Sequence, residues 1–91
     1  MTRIERIRLM EALLDGCLAV LKAEPCTEED LAAIAPNVAR LEAYYSSALW
    51  RRDLAADAAG RLPTDLKRGV LSEDAVWNML ETWHERCGEN K

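Results

Sequence analysis

Asp53 and Asp57 stand one helical turn apart, so on a helix both carboxylates project from one face, with Arg52 and Arg61 close by. Such a pair is the beginning of a metal site or of an acid–base couple. Hard cations usually take more oxygen ligands than two, and catalytic carboxylates need a cleft that shifts their pKa. The pattern therefore favours ion pairs that pin an irregular segment to a neighbouring helix. Lys67-Arg68-Gly69, just ahead of a helix starting at Ser72, has the charge and free amides to hold a phosphate or an acidic side chain. It lacks the Gly-x-x-x-x-Gly-Lys-Ser/Thr spacing of a phosphate-binding loop. Asp53, Asp57 and Asp74 are alternative internal partners for it. Glu81, His84 and Cys87 fall on neighbouring turns of a C-terminal helix, but no second histidine closes a metal site and no orienting group or oxyanion hole serves a Cys–His couple. No catalytic residues, metal ligands or cofactor are assigned.

The aromatic residues are Trp50, Trp77, Trp83, Tyr44 and Tyr45, with no phenylalanine. Adjacent Tyr44 and Tyr45 point about 100° apart on a helix, and Trp77 lies off the stripe formed by Val76, Leu80 and Trp83. One small core does not take every ring. Some are expected at the surface, where Trp and Tyr serve as interface anchors.

The elements that must position these groups are helices. Thr2 and Glu5 form a capping-box pattern, behind which Ile4, Ile7, Met10, Leu14, Cys17 or Leu18, and Leu21 recur at helical spacing. This predicts an amphipathic helix of about 20 residues, with Arg3, Arg6, Glu11, Asp15 and Lys22 on its outer side. Gly16 offers room for a neighbouring helix. Thr27 caps a second helix whose first turn carries Glu28, Glu29 and Asp30 and whose buried stripe is Leu31, Ile34, Val38, Leu41 and Tyr45. Pro36, lacking an amide proton, is expected to kink or restart it. Ser46 or Ser47 caps a short helix from Ala48 to Ala59, with Leu49 or Trp50, Leu54 and Ala58 inward and Gly60 at its end. A turn from Thr64 to Arg68 leads to a last helix capped by Ser72, with Val76, Leu80, Trp83 and Cys87 on one face and Gly88 at its end. The fold class is all-α: an antiparallel helical hairpin plus a short helix and a C-terminal helix, packed as one small bundle over residues 1–91.

The chain is 91 residues long, with a formal net charge of -4, 49% hydrophobic and 31% charged residues. This composition excludes disorder and disfavours direct attraction to nucleic acid or anionic membranes. Its longest apolar stretches, such as Leu18 to Leu21, are far short of the roughly 18 residues of a membrane span, and a charged N-terminus from Arg3 onward is unlike a signal peptide. A cytoplasmic protein is expected. Cys17, Cys26 and Cys87 are odd in number and widely spaced, which indicates free thiols.

One stretch carries more than helix patterning. Leu41-Glu42-Ala43-Tyr44-Tyr45, Trp50, Asp53, Ala56-Asp57, Gly60-Arg61-Leu62-Pro63 and Asp65-Leu66-Lys67-Arg68-Gly69-Val70-Leu71-Ser72-Glu73-Asp74, with Arg3-Ile4-Glu5-Arg6-Ile7 ahead of them, resemble a family of small bacterial helical proteins classed as a domain of unknown function. The resemblance covers most of the chain, with departures at Ser46, where such proteins carry glycine, and at Pro25-Cys26-Thr27. It implies a bacterial, cytoplasmic, all-helical protein and no particular activity.

The expected function is a non-enzymatic protein-interaction or self-associating helical module, binding a protein partner or a second copy as a homodimer. Tyr44, Tyr45, Trp50 and Trp77 supply apolar contacts in this reading, and Asp53, Asp57, Lys67 and Arg68 supply charge. The alternative is an acidic regulator that covers the basic surface of a nucleic-acid-handling protein through Glu28-Glu29-Asp30 and the Asp53/Asp57 pair.

Overall fold

A computed structural model describes residues 1–89 and shows an all-α bundle. Helix α1 (Arg3–Lys22) and helix α2 (Glu28–Tyr45) form the antiparallel hairpin, followed by α3 (Ala48–Ala58), a 3₁₀ turn (Gly69–Leu71) and α4 (Glu73–Glu89). Among the described residues no helix is long and apolar enough to cross a membrane.

Both hairpin helices start where their caps dictate. The Thr2 hydroxyl accepts from the Glu5 amide while Glu5 accepts from the Thr2 amide, and Thr27 and Asp30 repeat the arrangement on α2. Pro36 interrupts nothing: α2 runs through it without a break. Pro36 and Ala32, whose carbonyl lacks its usual donor, are both exposed, so water satisfies the group that the proline leaves open. Ser47, rather than Ser46, caps α3 by accepting from the Trp50 amide at 3.3 Å, while its hydroxyl donates to the Tyr44 carbonyl at 2.6 Å. Helix α3 closes in a Schellman motif: Gly60 takes φ +70°, its amide donates to the Asp57 carbonyl, and the Arg61 amide donates to that of Ala56.

The core is built from Ile7, Leu14, Cys17 and Leu21 of α1, Leu31, Ile34, Val38, Leu41 and Tyr44 of α2, Trp50 and Ala56 of α3, Val76 and Met79 of α4, and Leu62, Leu66, Val70 and Leu71 from the segment between them. Tyr45 donates its hydroxyl to the Glu73 carbonyl at 2.9 Å, which brings the start of α4 to the end of α2. From there α4 runs back along both α1 and α2.

Several inward positions differ from the sequence expectation. Tyr44, not Tyr45, ends the buried stripe of α2, and α3 buries Trp50, Asp53 and Ala56 while Leu49 and Ala58 face solvent. On α4, Met79 joins Val76 inside, Leu80, Trp83 and Cys87 are half-buried, and the helix passes through Gly88 to Glu89. Nothing lies within 4 Å of where a Cβ at Gly16 would sit, so Gly16 admits no neighbour within the chain.

Glu11 is the largest departure. It stands on the heptad line Ile4, Ile7, Glu11, Leu14, Leu18 and Leu21 and is buried. Its Oε1 accepts from the Val70 amide at 2.8 Å, and both carboxylate oxygens lie 3.1 Å from where a Cβ on Gly69 would be. The carboxylate thus caps the 3₁₀ turn from inside, where an orphan amide would otherwise go unpaired. Glycine at position 69 is the residue that gives it room. We expect Gly69→Ala to destabilise the chain by about 1–2 kcal/mol in urea unfolding, by forcing Glu11 aside. That penalty should shrink when Glu11 is already alanine; equal penalties in the two backgrounds would contradict the contact.

Candidate functional site

Asp53 and Asp57 each anchor a separate ion-paired cluster within the chain, while Lys67, Glu81 and His84 are exposed. Asp53 is 0% exposed. Arg6 donates to it from both Nε and Nη2, at 2.9 and 2.7 Å, Arg3 Nε donates at 3.1 Å, and the Tyr44 hydroxyl donates at 2.6 Å. One carboxylate of α3 is therefore held by the first turns of α1 and the last turn of α2. Burial alone would raise its pKa, but the hydrogen bonds from Arg6 and Tyr44, the charge of Arg6 and the Arg3 contact outweigh burial and hold it below the usual carboxylate value. Tyr44 shifts the other way, since burial and then its bond to the Asp53 anion push the phenol above its ordinary value. Arg6 is raised, chiefly by its hydrogen bond to Asp53.

Arg68 organises the second cluster. Its guanidinium pairs with Asp57 and also donates to the carbonyls of Pro63 and Leu66, clasping the loop that follows α3. Asp53 and Asp57 share α3, as their spacing implies, yet they serve different arginines. Their expected neighbours Arg52 and Arg61 are exposed and take no part in either pair. The amide of Val70, in the turn read as anion-binding, is occupied by Glu11.

The aromatics divide in the same way. Trp50 is buried and donates its indole N–H to the Val70 carbonyl at 3.0 Å. Tyr45 meets it edge-on, with ring centroids 4.9 Å apart. Tyr44, Trp50 and Asp53, expected at a partner surface, are buried with partners inside the chain, and Asp57 and Arg68 pair with one another. Trp77 is 51% exposed, Leu49 is 42% exposed, and Lys67 is exposed at the mouth of a cleft of about 290 Å³ shared with Arg8, Asp15 and Asp65. A second groove, of about 330 Å³, lies between the ends of α1 and α2 and is lined by Arg6, Met10, Arg40, Ala43, Tyr44, Ser47 and Leu49.

With these positions in place, the segment that carries the family resemblance has an account: Gly60 turns the chain, Leu62, Leu66, Val70 and Leu71 fill the core, Arg68 clasps the loop and Gly69 admits Glu11. A family model described as a domain of unknown function (DUF4298) matches residues 7–90. The chain belongs to the DUF4298 family. Neither a curated protein nor a solved structure matches it. In this DUF4298 chain the Gly60–Asp74 signature is a folding clasp, while Leu49 beside the groove and Trp77 on α4 remain exposed. Sequence reasoning missed Glu11, Arg6 and Arg40. The heptad line through Glu11 was the available signal for the first; Arg6 is partnered across the fold, which local spacing does not show.

Removing one member of a buried pair strands the other. Arg6→Ala should cost about 3–5 kcal/mol, and Arg3→Ala less than about 1 kcal/mol because the Arg3 side chain is 42% exposed. Since the folded Asp53 pKa is depressed, its stabilisation is complete above the unfolded carboxylate value of about 4 and drains away as pH falls through the lower folded value. Urea unfolding as a function of pH should show this acid limb, and Asp53→Asn should flatten it.

Proposed function

We propose that this domain is a small non-enzymatic interaction module that binds a second copy of itself or another protein. Its polar residues with catalytic potential act on one another: Asp53 on Arg6, Arg3 and Tyr44, Asp57 on Arg68, and Glu11 on Val70. The solvent-facing surface is mostly charged, but it carries large apolar side chains as well. Leu49 at the rim of the groove and Trp77 on α4 are large hydrophobic side chains at 42% and 51% exposure, and this pair of surfaces is the observation that carries the reading.

The acidic-regulator reading loses support by the same account. Asp53 and Asp57 are neutralised by arginines within the chain, which leaves Glu28 and Glu29 as the exposed acidic residues of that set.

Light scattering on the purified chain and on the chain captured in native extract should give a mass above the 10.2 kDa of the monomer, and the complex should persist as salt is raised, as an apolar contact does. Leu49→Ser for a second copy, or Trp77→Ala for another protein, should release the monomer while changing stability by no more than about 0.5 kcal/mol, the usual bound for surface positions. A 10.2 kDa species under every condition, or a complex that dissolves in moderate salt, would contradict the apolar-interface reading.

A further inference from the structure

The side of the hairpin opposite its buried stripes combines partly buried apolar residues of α1, among them Leu13 and Val20, which also pack against the core, with small and charged exposed residues of α2. On α1, Leu13 and Val20 are half-buried on the line that continues from Arg6, and Leu9 and open Gly16 lie beside them. Leu9 is half-buried yet is not among the hydrophobics packed against the core. On α2, Glu29, Ala33, Pro36, Arg40 and Ala43 recur at four- and three-residue spacing, and all are exposed. The groove of about 330 Å³ that joins Arg6 and Met10 of α1 to Arg40, Ala43 and Leu49 is one end of this face. Because the helices are antiparallel, the face continues from that end to Val20 and Glu29 at the other.

Its charges are arranged for self-recognition. Arg40 is exposed, and among the described residues no carboxylate pairs with it; the same holds for Glu29 with respect to cations. They sit at opposite ends of the α2 line, with Ala33 and Pro36 between them. Turning a second copy about a two-fold axis midway between Ala33 and Pro36 places Glu29 against the second Arg40, Arg40 against the second Glu29, and the small residues against each other. Residue i meets residue j and j meets i, as an isologous interface requires. Helices of 20 and 18 residues, rising about 1.5 Å per residue and lying about 8–10 Å apart, present a strip on the order of the roughly 800 Å² per copy that stable two-fold interfaces bury.

We propose that this face is where two copies associate, antiparallel and two-fold, so that the two hairpins form a four-helix layer with α4 of each copy on the outside. The proposal rests on the interaction-module reading and narrows it to a second copy at a stated register. Leu49 lies at the edge of the contact, and Gly16 opens onto the partner in place of a neighbour within the chain.

Sedimentation equilibrium on the full chain tests it, with circular dichroism confirming each variant's fold. Glu29→Arg and Arg40→Glu should each weaken dimerisation about tenfold or more by setting like charges opposite one another, and the double variant Glu29→Arg/Arg40→Glu should restore it. Ala33→Glu, at an exposed helical position, should abolish the dimer without unfolding the monomer. A wild-type chain that stays monomeric overturns both this proposal and the self-association arm of the functional reading. A dimer that ignores Ala33→Glu, or whose charge swap fails to rescue, overturns this face and register and leaves the functional reading standing.

Discussion

A carboxylate without solvent, shared by three helices, is the constraint on which the rest of this fold depends. Asp53 belongs to the short helix α3, whose apolar surface is small: Trp50 and Ala56 are its buried hydrophobic residues, with Leu54 half-buried. Burying so little apolar area would hold an 11-residue helix weakly, since burial contributes only about 25 cal/mol per Å². The two oxygens of Asp53 supply what the hydrophobic face lacks. They accept from Arg6 and Arg3 at one end of α1 and from Tyr44 at the end of α2, so α3 docks in one orientation. A well-packed hydrophobic replacement can equal such a cluster in stability. What the charged cluster adds is direction, because each donor has one place to be.

Once α3 is fixed, the segment after it is largely determined. Gly60 reverses the chain, Arg68 ties Asp57 to the carbonyls of Pro63 and Leu66, and the turn at Gly69 arrives beneath the Glu11 carboxylate. Trp50 then finds the Val70 carbonyl, and Tyr45 finds that of Glu73. Buried polar groups in a small bundle are costly unless all are satisfied. Here every such side-chain atom among the described residues has a partner. The same arithmetic explains why the signature carries so many charged residues and breakers: it is the part of the chain that must cross the bundle without a long helix to follow.

Helix starts were legible in the sequence because their chemistry is local. Thr2, Thr27 and Ser47 act on amides within three residues, and Gly60 follows a helix it ends. The apolar stripes of α1 and α2 were legible for the same reason, as was the family. Register errors arose where two neighbours competed for one inward place. Tyr45 fits the heptad as well as Tyr44, and only the position of Asp53 decides between them. Glu11 and Arg6 were read as outward because charged residues usually are. Their partners are 59 and 47 residues away, a distance no periodicity reports. Asp53 and Asp57 were recognised as a pair that anchors an irregular segment, and Arg68 as a candidate partner for Asp57, while Arg6 and Arg3 as the partners of Asp53 were not identified. For the partner surface, the sequence pointed at aromatics; the fold buries Tyr44 and Trp50 and leaves Trp77 and Leu49 outside.

Tyr44 donates a buried hydrogen bond to the Asp53 carboxylate, which stays charged. The most direct measurement is an alkaline titration followed by site-resolved NMR of the Tyr44 ring carbon bearing the hydroxyl. With its pKa raised by burial and by the Asp53 anion, Tyr44 should keep its proton above pH 10, about where a free tyrosine loses it, and release it only at higher pH or as the chain unfolds. An ordinary transition near pH 10 in the folded protein would contradict the account, since a phenol that ionises freely is not held against a buried carboxylate.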